Sequence, residues 1–89
     1  MEQLNKIEKW PINSTDDIKN LIDYIRRLWW YSETGFVLKG KQVLRLELHT
    51  YGWSGNEDII RALRKNDFWL LFWEKSTRGG HYWFKIPLF

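Results

Sequence analysis

"QVLRLELHTYGWSGNEDIIRALRKN", residues 42–66, changes its hydrophobic period midway, and that change decides the fold. From Gln42 to Thr50, Leu44, Leu46 and Leu48 alternate with Arg45, Glu47 and His49. That is the pattern of a strand in a sheet covered on one side only. From Ser54 onward, Ile59, Ile60 and Leu63 share one face of a helix. Ser54 and Glu57 have the spacing of a capping box, and Lys65-Asn66 supplies a basic last turn and an Asn cap. Between strand and helix stand Tyr51, Gly52, Trp53, Ser54 and Gly55. Two glycines and two large aromatics are more than a plain connection requires.

Upstream, "NSTDD" (residues 13–17) opens another helix. Ser14 can accept from a backbone N–H, Asp17 reaches back, and the acidic pair suits the positive end of the dipole. Ile18, Leu21, Ile22, Ile25, Leu28 and Trp29 then recur at helical spacing, which predicts an amphipathic helix through about Trp30. Phe36 to Leu38 reads as a strand that turns at Lys39-Gly40-Lys41 into Gln42 to Thr50. Downstream, "DFWLLFWEKSTRGGHYWFKIPLF" (residues 67–89) reads as a hairpin: Phe68 to Lys75, a turn at Arg78-Gly79-Gly80, then His81 to Ile86. The order is α-β-β-α-β-β. The expected class is α+β, with two helices packed on one face of a four-stranded, mainly antiparallel sheet. No linker, repeat or low-complexity tract divides the chain, so residues 1–89 form a single domain.

Composition narrows the function classes. At 89 residues, only roughly 60% of the unfolded surface can be buried. Yet the chain carries seven Trp, four Tyr and five Phe, so some aromatics either thicken a thin core or form a contact surface. There is no cysteine, hence no disulfide framework and no thiolate metal site. No apolar run approaches the about 18 residues of a membrane span. "MEQLNKIEKWPI" mixes charges with single hydrophobes and lacks the pattern of a signal peptide, so a cytoplasmic location is expected. The net charge of +3 favours an anionic partner. The basic residues are dispersed among eleven acidic ones, which argues against double-stranded DNA.

Strand alternation sorts the side chains. With the helices over Leu44, Leu46, Leu48, Tyr82, Phe84 and Ile86, the open face collects Arg45, Glu47, His49, His81, Trp83 and Lys85. Trp69 and Trp73 are expected to join it. Such a face can stack a planar ring and pair a phosphate. It can equally meet its own copy in a homodimer, or be covered by Trp10 or by Leu88-Phe89.

The two bends add chemistry. A helix N-terminus holds unsatisfied N–H donors and partial positive charge, and Gly52 and Gly55 permit close backbone approach to an anion. Tyr51 and Trp53 could wall a base or ribose. Simple helix capping by Ser54 is the plain alternative. In "RGGHY" (residues 78–82) the glycines serve the turn, while Arg78 offers a donor fork for phosphate and His81 a ring.

"GWSGNEDIIRAL" (52–63), "FWLLFW" (68–73) and "RGGHYWF" (78–84) resemble a family of small, uncharacterised bacteriophage proteins. The likeness spans roughly residues 44–86 and is most specific over Gly52 to Glu57 and Arg78 to Tyr82. It implies a phage origin and leaves the chemistry open.

Catalysis is not expected. Glu47, His49 and His81 could share one face, but no HExxH or Asp-rich run accompanies them, and polar side chains are what a solvent-facing side of a sheet carries in any case. No cofactor or resident metal is implied. The expected function is a phage counter-defence accessory protein that sequesters a small nucleotide-derived signal. Tyr51, Trp53, Ser54, Gly55, Asn56, Arg78 and His81, with Trp69 or Trp73, would line a ring-walled, anion-friendly hollow, completed by a homo-oligomer. The alternatives are an inhibitor that blocks a host enzyme with the aromatic face, and a single-stranded nucleic-acid binder.

Overall fold

The computed structural model describes residues 2–88. In chain order it contains α1 (Glu2–Glu8), α2 (Thr15–Leu28), α3 (Ser32–Gly35), β1 (Phe36–Lys39), β2 (Val43–His49), α4 (Ser54–Arg64), α5 (Asp67–Phe72), β3 (Trp73–Thr77) and β4 (His81–Pro87). The four strands form one sheet in the order β1-β2-β4-β3, and every neighbouring pair is antiparallel. The α+β class and the sheet stand as expected, with three further short helices around the two long ones.

Register fixes the two faces. Leu44, Leu46 and Leu48 of β2 lie opposite Ile86, Phe84 and Tyr82 of β4, and this row faces the helices. Against it pack Ile18, Leu21, Ile22 and Ile25 of α2 and Ile59, Ile60 and Leu63 of α4, all buried. Arg45, Glu47 and His49 face away, opposite Lys85, Trp83 and His81. The start of α2 is built as its sequence suggests: Ser14 Oγ accepts from Asp17 N–H at 3.1 Å, and Asp17 Oδ2 accepts from Asn13 N–H at 2.9 Å.

Three local expectations are corrected. Residues 68–72 are helical: α5 occupies the first half of the expected third strand, which shrinks to Trp73–Thr77. Asn66 caps the start of α5, not the end of α4, and accepts from Phe68 N–H at 2.7 Å. Ser54 is the first residue of α4 and not its cap; Trp53 holds the cap position, with no side-chain hydrogen bond.

The helical turn at 67–72 also changes the side on which two tryptophans stand. Trp73 sits opposite Phe84, and Trp69 packs edge-on against Tyr82 and Phe84 at 5.6 and 5.3 Å, with Arg64 above its ring. Both belong to the helix-covered side of the sheet. The open face receives Lys75 and Thr77 instead, opposite Trp83 and His81. A bulge between Trp73 and Lys75 turns Glu74 toward Arg45, 3.8 Å away.

Trp10 stays on the helical side, where its ring meets Tyr24 at 5.2 Å. Of the two C-terminal residues, Leu88 packs against the core cluster and Phe89 lies outside the described residues.

Candidate functional site: an aromatic shelf where two bends meet

The two bends singled out in the sequence lie against each other. Thr50 N–H donates to Gly80 C=O at 2.9 Å, directly beyond the His49–His81 pair that ends the β2–β4 ladder. The contact is close enough that only glycine fits. A Cβ at Gly80, whose φ is +83°, would run into the Thr50 hydroxyl. Thr50 is buried, and its own groups fold the loop that follows. Its carbonyl accepts from Trp53 N–H at 2.9 Å and its Oγ1 from Gly52 N–H at 3.3 Å.

That fold throws rings outward. Tyr51 adopts φ +54°, a left-handed conformation that L residues other than Asn and Asp rarely take. Its ring lies against Gly35, where an added Cβ would come within 2.9 Å of it. Trp53 folds its indole over Gly55 and meets Trp30 at 4.6 Å. Tyr31, also left-handed at φ 59°, contacts both Trp30 and Tyr51 at 6.2 Å. Trp30, Tyr31, Tyr51 and Trp53 are 54%, 61%, 53% and 40% exposed, so this is a continuous shelf of accessible rings and no part of the core.

The shelf stands on a buried polar clamp. Asn56 is fully buried; its Oδ1 accepts from Trp30 N–H at 2.9 Å, and its Nδ2 donates to Trp30 C=O at 3.0 Å. The end of α2 is thereby fastened to the first turn of α4. Trp29 turns inward at the same point and donates its indole N–H to His49 C=O at 3.2 Å.

Around the shelf the electrostatics are mildly favourable to anions. No side chain caps the first turn of α4, so the partial positive charge of that helix end is offset only by Glu57 in the same turn. Arg78 is exposed on the neighbouring turn. His49 and His81 touch through their Nδ1 atoms at 2.7 Å, and Glu47 Oε1 stands 3.5 Å from His49 Nε2. Trp83 completes this row, 5.9 Å from His49 and 6.3 Å from His81, with Lys75 Nζ 4.7 Å from its ring centre.

The bends that carry Tyr51, Trp53, Ser54 and Gly55 on one side and Arg78 and His81 on the other thus meet at one corner of the sheet. Trp69 and Trp73 are not at that corner: they stack on each other across the sheet from His81. Asn56 lies at the corner as a clamp whose side chain is already engaged. Trp30 and Tyr31 belong to the shelf but escaped the sequence reading, which ended the first long helix at Trp30. The signal was the run Trp29-Trp30-Tyr31: once Trp29 completes the buried stripe, the next two rings have no core position left. The rings lie open to solvent, a shelf more than the hollow expected. A groove of about 840 Å³ lies elsewhere, between α1 and α2, lined in part by Lys6, Trp10, Asn20 and Tyr24.

No protein-family model, no curated protein and no solved structure matches this chain.

Proposed function

We propose that this is a non-catalytic binding protein of a bacteriophage that counters host defence by sequestering a small nucleotide-derived signal. One observation carries the reading: the Thr50–Gly80 hydrogen bond joins the loop before α4 and the Arg78 turn into a single surface. On that surface Tyr51 and Trp53 offer ring faces to a base or ribose. The first turn of α4 and Arg78 offer donors to phosphate. Because the rings stand open, a second copy of the chain would close over the ligand, as so small a monomer cannot enclose one. The phage origin rests on the sequence resemblance alone.

A second reading has an observation in its favour. Four exposed aromatic rings in mutual contact also form the kind of anchor patch with which one protein blocks another. One experiment separates the two. Purified protein is incubated with infected-cell extract, re-isolated and heat-denatured, and the supernatant is analysed by mass spectrometry. A sequestering protein releases an intact nucleotide. Release of none, with a single host polypeptide co-purifying, transfers the case to the inhibitor.

A further inference from the structure

We propose that His49 and His81 form a bidentate site for a divalent late transition metal, with zinc as the reference ion, bound through their two Nδ1 atoms on the uncovered face of the sheet. The inference does not depend on the nucleotide reading. These are the only two histidines of the chain, and they come from different strands that register them directly opposite each other. Their Nδ1 atoms point at one another across 2.7 Å, with the rings inclined at 62°.

In the metal-free chain that contact holds one proton, one Nδ1 donating and the other accepting. Glu47 biases the choice. Its Oε1 lies 3.5 Å from His49 Nε2, which favours the tautomer with the His49 proton on Nε2 and the Nδ1 lone pair toward His81. A carboxylate behind the non-ligating nitrogen is the arrangement that orients metal-binding histidines. When the metal enters, it takes the place of the shared proton, and His81 carries its proton on Nε2. Both imidazoles then bind as neutral donors. Zinc–nitrogen bonds of about 2.0–2.1 Å at a tetrahedral angle set the nitrogens about 3.3 Å apart, so the rings need to part by about 0.6 Å and to turn until both Nδ1 lone pairs converge on one point off the line that now joins them.

Imidazole pairs suit zinc, nickel, cobalt and copper ions and leave magnesium and calcium aside. Among the described residues no group of three or more His, Cys, Asp or Glu side chains could hold a metal, so water fills the remaining positions. The site sits beside Tyr51, 6.5 Å from His49, and a bound ion would add positive charge to the edge of the shelf.

The test uses the whole chain, stripped with a chelator and titrated with zinc chloride by calorimetry. Two-dimensional NMR of the two imidazoles reports which nitrogen ligates and needs no variant. The expected result is one zinc per chain, with the Nδ1 signals of both histidines moving together. His49→Gln and His81→Gln should each abolish measurable zinc binding, since a single imidazole is left, and Glu47→Gln should lower the affinity by up to about 10–100-fold. Circular dichroism confirms that the variants fold. Absence of imidazole shifts at millimolar zinc overturns the proposal. So does ligation through Nε2, or an affinity that neither histidine substitution changes.

Discussion

Two tyrosines in left-handed backbone conformation, Tyr31 and Tyr51, meet edge to face in the shelf. Each costs on the order of 1–2 kcal/mol relative to ordinary backbone. Glycine would relieve that strain at both positions, so a ring is being held there against the backbone's preference. The cost is separable from the ring. Tyr51→Gly should be more stable than Tyr51→Ala by about 1 kcal/mol in urea denaturation, because both lose the ring and only alanine keeps the strain. Equal stabilities would mean that φ +54° carries no strain. Asn56 stands at the other extreme of exposure. Its buried side chain satisfies both backbone groups of Trp30, and Asn56→Ala would remove both of these partners. A loss of about 2–4 kcal/mol is expected from equilibrium unfolding. The sequence placed Asn56 in the ligand site from its position in the first helical turn. Its burial was not legible, because a polar residue enters the interior only when a distant partner, here Trp30, is brought to it.

At the scale of elements, the two long helices and strands β1, β2 and β4 were legible because their periods are unambiguous. "FWLLFW" was not. A short apolar run has no clear period, and Phe68, Leu70 and Phe72 read as one face of a strand. In α5 it is Phe68 and Phe72, four residues apart, that are buried, while Leu70 is 85% exposed. Asn66-Asp67 is the available start signal, but Asn66 reads equally as the cap that follows Lys65 at the end of the preceding helix. The same asparagine holds the chain's beginning. Its Nδ2 donates to Ile7 C=O at 2.8 Å and to Trp10 C=O at 2.9 Å, fixing the end of α1, a helix too short to announce itself. Asn66→Ala should therefore cost about 2–3 kcal/mol and should speed amide exchange in both α5 and α1. Exchange faster in α5 alone would contradict the double role. The glycines of the two bends make a matched pair. A Cβ at Gly52 meets nothing within 4 Å, whereas one at Gly80 collides with Thr50. Both have positive φ, +69° and +83°. Gly52→Ala should cost only about 1 kcal/mol of backbone strain, and Gly80→Ala clearly more, read as a lower melting temperature. Equal losses would show that the bends do not press together.

For the molecule as a whole, the helices cover one side of the sheet and leave the other uncovered, and the aromatic shelf lies where the end of β2 and the start of β4 meet the start of α4. The excess of tryptophan noticed in the composition is thus divided. Trp10, Trp29 and Trp69 pack on or within the core, Trp73 stacks on Trp69, and Trp30, Trp53 and Trp83 face solvent in whole or part. That division makes the central claim testable by comparing tryptophans with each other. Nucleotide taken up from infected-cell extract should be measured for the native chain and for Trp53→Ala, Arg78→Ala and Trp73→Ala, each with its melting temperature. A ligand site at the meeting of the two bends predicts that Trp53→Ala and Arg78→Ala lose uptake with melting temperatures near that of the native chain, while Trp73→Ala retains it. Uptake kept by the first two variants, or lost equally in all three, would contradict it.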